Sequence, residues 1–131
     1  MKDYIWIDGK KIEIRKLKKQ VGAKKFAEIL NGEIEKTVRK YKVYLGSFSR
    51  IIGEEFLDML DVRDCLEVEI NELGKIGCAS NVKKRVEELD KEFKSFKPEI
   101  LKKFGGLLEW SGYPKSFWWR HLREAGEKQG L

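Results

Sequence analysis

The sequence predicts a mainly α fold with small β-hairpins. Apolar residues recur at helical spacing through most of the 131 residues. Only two short windows, 4–14 and 65–79, alternate with the period of a strand. Glycine-bearing breaks separate the helical windows.

Residues 4–14, Tyr-Ile-Trp-Ile-Asp-Gly-Lys-Lys-Ile-Glu-Ile, read as a hairpin, because two Ile-rich runs flank Asp8-Gly9, a strong two-residue turn signal. Such a hairpin is marginal alone and must pack on something. In residues 15–30, Leu17, Val21, Phe26, Ile29 and Leu30 share a broad helical face, with Gly22 as a break. Asn31-Gly32 reads as a helix stop. A second helix is expected from about Glu33, with Ile34, Val38, Tyr41 and Leu45 on one stripe and Lys36, Arg39, Lys40 and Lys42 largely on the other faces. Gly46-Ser-Phe-Ser is a loop, and residues 51–60 form another helix, with Phe56, Leu57 and Leu60 apolar.

Residues 65–79 change character. Leu66, Val68 and Ile70 alternate with Glu67, Glu69 and Asn71, which predicts a half-buried strand, with Leu73-Gly-Lys-Ile-Gly-Cys-Ala as its return. Ser80-Asn81 offers an N-cap, and Val82, Val86, Leu89 and Phe93 then mark a helical stripe. Pro98 suits a first helical position, and Ile100, Leu101 and Phe104 give a short helix ended by Gly105-Gly106. The expected segments are 1–62, 63–97 and 98–131, within one compact domain or as very small separate ones.

Composition narrows the function classes. With 41% hydrophobic residues the chain can support a core, which argues against full disorder. The 38% charged fraction is mostly Lys and Glu, a habit of heat-stable proteins. Net charge is +6, a sign of a nucleic-acid partner that also fits a merely soluble protein. The first 60 and last 36 residues carry the basic excess, and residues 61–95 are acidic. Cys65 and Cys78, with His121 as the sole histidine, cannot build a Cys₄ or Cys₂His₂ zinc site, so no metal or cofactor is expected. A single disulfide fits only a secreted or hyperthermophilic chain, and buried thiols are the favoured reading. No signal peptide or membrane-length apolar run is visible, so the expected location is intracellular, in the cytoplasm.

The closing residues point most directly to a partner. Leu107 to Leu131 read as a short helix, a turn at Gly112-Tyr113 and a basic, aromatic helix from Pro114 to about Gln129. The stretch Gly112-Tyr-Pro-Lys-Ser-Phe-Trp-Trp-Arg-His-Leu-Arg resembles the turn and recognition helix of winged helix-turn-helix regulators. The resemblance implies a helix-turn-helix, winged-helix-like architecture whose second helix enters the DNA major groove. Trp118 and Leu122 would face the first helix, and Lys115, Ser116, Trp119, Arg120 and Arg123 would point outward to phosphates and base edges. A weaker resemblance links Gly22-Ala-Lys-Lys-Phe-Ala-Glu-Ile-Leu-Asn-Gly-Glu-Ile-Glu-Lys-Thr-Val-Arg-Lys-Tyr to the DNA-reading pair of Cro/repressor-type domains. It implies DNA contact by Lys36, Thr37, Arg39, Lys40 and Lys42.

Each assignment has a plainer counterpart. Trp110 and Trp118 read more readily as core aromatics, and Arg120 and Arg123 fit a solvated helix face equally well. The Lys83-Lys84-Arg85 run suits a solvated helix start, and His121 a partly exposed helix residue. No Gly-rich phosphate loop, zinc spacing or nucleophile elbow is present, so the chain is not expected to be an enzyme. The favoured function is a sequence-specific double-stranded DNA-binding regulator, with a homodimer plausible. Two alternatives stay open: an accessory or N-terminal DNA-binding module of a viral or mobile-element protein such as an integrase, and a protein-interaction module on the same scaffold.

Overall fold

The structure, a computed structural model, describes residues 4–7, 9–75, 80–108 and 113–122. It is mostly helical, with one two-stranded antiparallel sheet among the described residues.

Strands β1 (Tyr4–Ile7) and β2 (Lys10–Glu13) pair antiparallel, Tyr4 opposite Glu13 and Ile7 opposite Lys10. That register leaves two residues at the turn, and Gly9 there has φ +78, a conformation that strongly favours glycine. Ile5 is buried and fixes the hairpin against the helices, as a two-stranded ribbon requires.

Helix α1 (Ile14–Gly46) follows directly, broken once at Gly22, which has φ +82 and ψ 164. The break expected at Gly22 is therefore present. Phe26, Leu30, Ile34, Val38, Tyr41 and Leu45 form one buried stripe from the 3.6-residue period. That stripe runs straight through Asn31-Gly32, so the stop expected there is absent. Local propensity yields to a packed face that continues unbroken on both sides, and the Asn31 amide is accommodated by donating to the Ala27 carbonyl at 3.0 Å. The helix-turn-helix expected over residues 22–42 is thus a single helix after Gly22.

A 3₁₀ turn at Phe48–Arg50 leads into α2 (Gly53–Lys75). The strand expected from residue 65 is instead the second half of this helix. Phe56, Met59, Leu60, Arg63, Leu66, Ile70 and Leu73 are buried at spacings of three and four. The apparent alternation of Leu66, Val68 and Ile70 is a coincidence of that stripe with a half-buried Val68. The return strand expected over 73–79 loses Leu73–Lys75 to the helix, and residues 76–79 lie outside the described ones. Because α2 runs from 53 to 75, it crosses the segment boundary expected at 62.

Helix α3 (Ser80–Ser95) packs Val82, Val86 and Phe93 inward, and α4 (Lys97–Phe104) starts with Pro98 in its first turn and buries Ile100 and Phe104. Helices α1 and α2 make the main interface, with α3 laid against both. Phe48 stacks on Phe96, and Phe56 on Phe104, with centroids 4.4 and 4.6 Å apart, which seals the end of the core where the chain reverses between α1 and α2.

Candidate nucleic-acid interface

The segment with the closest family resemblance takes a different form. From Tyr113 to His121 the backbone makes bonds three residues apart. Phe117 N–H donates to the Pro114 carbonyl at 3.0 Å, Arg120 N–H to Phe117 at 2.9 Å and His121 N–H to Trp118 at 3.0 Å. This is a turn followed by a 3₁₀ turn at Trp118–Arg120, in place of the α-helix expected from Pro114. Leu122 is buried, as expected. Trp110, Gly112 and Arg123, with the remainder of the expected helix, lie outside the described residues, as does Cys78.

The two tryptophans exchange their expected places. Trp119, expected to face outward, is fully buried, and its indole N–H donates to Asp64 Oδ1 at 2.7 Å. Trp118, expected to face inward, is half-buried, edge-on to Phe93 at 5.3 Å and capped by the Lys94 ammonium at 4.7 Å. Arg120 also turns toward the protein. Its Nε and Nη2 donate to the two oxygens of Asp64 at 3.2 and 2.6 Å, and Nη2 also reaches Asp61 Oδ1 at 2.7 Å. The guanidinium stacks 4.3 Å above the Tyr113 ring. The cause is electrostatic. Asp64 is 2% exposed, and a carboxylate so deep requires strong donors, which Trp119 and Arg120 supply. Lys115 and Ser116 are the members of this group that do reach solvent.

Beside this pair lies a second ionic knot. Arg63, on α2, forks onto Asp90 of α3 through Nε and Nη2 at 3.0 and 2.9 Å, and its Nη1 donates to Glu67 at 3.0 Å. Tyr41, on α1, donates its hydroxyl to the same Asp90 at 2.7 Å. Burial first, and then the Asp90 carboxylate, hold the Tyr41 hydroxyl far above the usual phenol range. Burial works against the charged Arg63, but Asp90 more than compensates and holds it firmly protonated.

The candidate residues on α1 fare differently. Lys36, Arg39, Lys40 and Lys42 are all exposed, spread over the side of the helix opposite its buried stripe. On the α3 side, Arg85 forks onto Glu35, with Nη2 to Oε1 at 2.8 Å. The Arg85 hydrogen bonds, with a smaller contribution from Arg39, hold the Glu35 carboxyl below its usual range. The exposed Lys83 and Lys84 stand beside Arg85 on the first turn of α3. Thr37 is half-buried and donates to the Glu33 carbonyl at 2.9 Å, so it faces the protein more than solvent.

On its other flank α1 borders a cleft of about 710 Å³, lined by Gly9, Glu33, Lys36, Thr37, Lys40, Asp61, Val62, Asp64, Cys65 and Glu69. Glu33 and Glu69 are buried in its floor, and Lys36 and Lys40 stand at its rim. Lys36 Nζ is 3.6 Å from Glu33 Oε1. Burial pushes the Glu69 carboxyl up to about 7 against the pull of Thr37 and Lys40, and Glu33 reinforces the rise. Sequence reasoning missed Glu69 because the strand reading put it on a solvent face. Read as helix, it sits between Leu66 and Leu73 on the apolar stripe, and a carboxylate there is a recognisable signal.

Among the described residues no group of three or more His, Cys, Asp or Glu is arranged to hold a metal ion. Among the described residues no helix is long and apolar enough to cross a membrane. No family model matches the chain, and neither a curated protein nor a solved structure matches it.

Proposed function

We propose that this chain is a non-catalytic double-stranded DNA-binding protein that docks chiefly through phosphates, using the exposed cations of α1 and of the start of α3. The carrying observation is how burial sorts the charges. Among the described residues five carboxylates are buried (Glu33, Asp64, Glu69, Glu72 and Asp90) against the single cation Arg63. The solvent face is therefore more basic than the net charge of +6 suggests. Lys36, Arg39, Lys40 and Lys42 present that excess along one helix, with Lys83 and Lys84 beside it. A row of flexible cations suits phosphate contact, which positions a protein on duplex DNA without reading sequence. Sequence-specific readout and a regulatory role belong to this proposal as its finer form. Their support is the resemblance at residues 112–122, and it is reduced by the engagement of Arg120 with Asp61 and Asp64.

The test is fluorescence anisotropy with a labelled random duplex at two salt concentrations, on the wild type and on an Arg39→Gln/Lys42→Gln variant. Binding that weakens steeply with salt, and further in the variant, is expected. Affinity indifferent to both salt and substitution overturns the reading.

One observation favours a second reading, a protein-interaction module. Ile52, Leu57 and Leu107 are 60%, 36% and 44% exposed, and Leu107 Cδ1 sits about one van der Waals contact from Gly53, between the first two in sequence. Such a patch suits a second copy or another protein. Association through it would survive high salt.

A further inference from the structure

The cleft between α1, α2 and the hairpin turn contains a polar atom without a counterpart. Glu69 is 3% exposed, and its Oε1 is buried with no hydrogen-bond partner. Buried carboxylate oxygens are ordinarily satisfied, and leaving one open is costly. This one lines an open cleft of about 710 Å³, within the range of small-molecule sites and far larger than one ion needs. The other groups of the cleft are already committed. Asp61 and Asp64 are held by Arg120, the Thr37 hydroxyl donates to the Glu33 carbonyl, and Lys36 lies against Glu33. Glu69 Oε1 is thus the acceptor left for an incoming donor, with the buried Glu33 adding negative charge nearby.

We propose that this cleft binds a small organic cation, an amine or guanidine, whose N–H donates to Glu69 Oε1. The complementarity is specific. A cationic head satisfies the orphaned acceptor and offsets the crowded Glu33 and Glu69 carboxylates. The cleft holds a molecule with an aliphatic stem, for which Val62 supplies apolar wall. A planar guanidinium suits the site best, because its several donors serve more than one carboxylate at once. The Lys40 ammonium, which partly offsets Glu69 in the empty cleft, lies at the rim and swings outward as the ligand enters. The site does not depend on DNA binding, and its test contains no nucleic acid.

The experiment is an amide NMR titration of the full chain with agmatine, alongside N-butylurea, whose urea has the shape of a guanidinium without its charge. Agmatine is expected to shift the amides of Thr37, Cys65 and Glu69 in a saturable way, and N-butylurea to leave them unmoved. Glu69→Gln is expected to weaken agmatine roughly tenfold or more, as expected when one charge-assisted hydrogen bond is removed. Equal response to the two compounds overturns the proposal, as does agmatine binding unchanged in Glu69→Gln, or shifts scattered over exposed carboxylates. Should Glu69→Gln fail to fold, the two-compound comparison on the wild type decides by itself.

Discussion

The Arg63 guanidinium lies 4.1 Å from the centroid of the Trp119 ring, and each partner is separately tied to a buried aspartate, Arg63 to Asp90 and Trp119 to Asp64. This contact joins two ionic knots into one. Through it α1 (Tyr41), α2 (Arg63, Asp64), α3 (Asp90) and the turn at 118–120 share a single buried polar network. Satisfied networks of this kind specify one arrangement of the elements they connect, whatever their net contribution to stability.

Arg63→Met tests that network. The methionine fills much of the same space but leaves Asp90 with only the Tyr41 donor. An uncompensated buried carboxylate costs about 3–5 kcal/mol. Urea unfolding followed by circular dichroism should show a loss of that size, and the double variant Arg63→Met/Asp90→Leu should recover a substantial part of it. A single variant as stable as wild type would mean that the network is not held closed in solution.

At Gly22 the cause is backbone geometry alone. With φ +82 and ψ 164 it occupies a region that residues with a Cβ avoid, and nothing lies within 4 Å of where a Cβ would stand. Gly22→Ala should therefore destabilise by about 1–3 kcal/mol through backbone strain, without steric clash. Gly32, which lies in regular helix with equally open surroundings, is the control. Gly32→Ala should stabilise by about 0.5–1 kcal/mol in the same urea titration.

These two glycines also mark how far the sequence could be read. Gly22 and Gly32 look alike as local punctuation, yet one breaks α1 and the other lies within it, because the apolar stripe is continuous only across the second. Signals contained within a few residues were legible: the turn at Gly9, the stripe from Ile34 to Leu45, the proline in the first turn of α4. The strand expected at 65–70 failed because five residues are too few to separate a period of two from one of 3.6. The closing segment failed for a different reason. Trp119 and Arg120 meet Asp64 across 55 and 56 positions, and no local pattern reports that a carboxylate so distant will be buried and in need of donors.

That pairing sets opposite expectations for the two groups of basic residues. Arg120→Ala removes three hydrogen bonds to Asp61 and Asp64, so its main effect should be lower thermal stability, with duplex affinity changed little once the protein is folded. Arg39→Gln/Lys42→Gln touches no buried group and should leave the melting temperature nearly unchanged. It should instead flatten the dependence of log K on log salt by roughly 0.9 for each phosphate that the variant no longer neutralises. Melting curves and salt-dependent anisotropy on the same four samples, two variants with and without DNA, separate the effects. A melting temperature unaffected by Arg120→Ala, together with a large drop in DNA affinity, would return Arg120 to the interface.

Glu69 gives a pH prediction of definite sign. Its folded carboxyl titrates at about 7 and its unfolded one near the ordinary value of 4.5, so the folded state holds the proton more tightly. The contribution of Glu69 to stability is then largest below the unfolded value. It declines as pH rises from 4.5 and is gone by the time pH passes 7. A shift of this size corresponds to a decline on the order of 2–3 kcal/mol across that window. Glu69→Gln keeps the shape of the side chain and cannot ionise, so the decline should vanish. The variant should match the wild type near pH 4.5 and exceed it at about pH 8. Urea midpoints at several pH values test this, with the Glu69→Gln curve subtracted to remove the other titrating groups. A wild-type curve that rises relative to the variant between about pH 5 and 7 would mean that the carboxylate is stabilised in the fold, and that its Oε1 already has a donor.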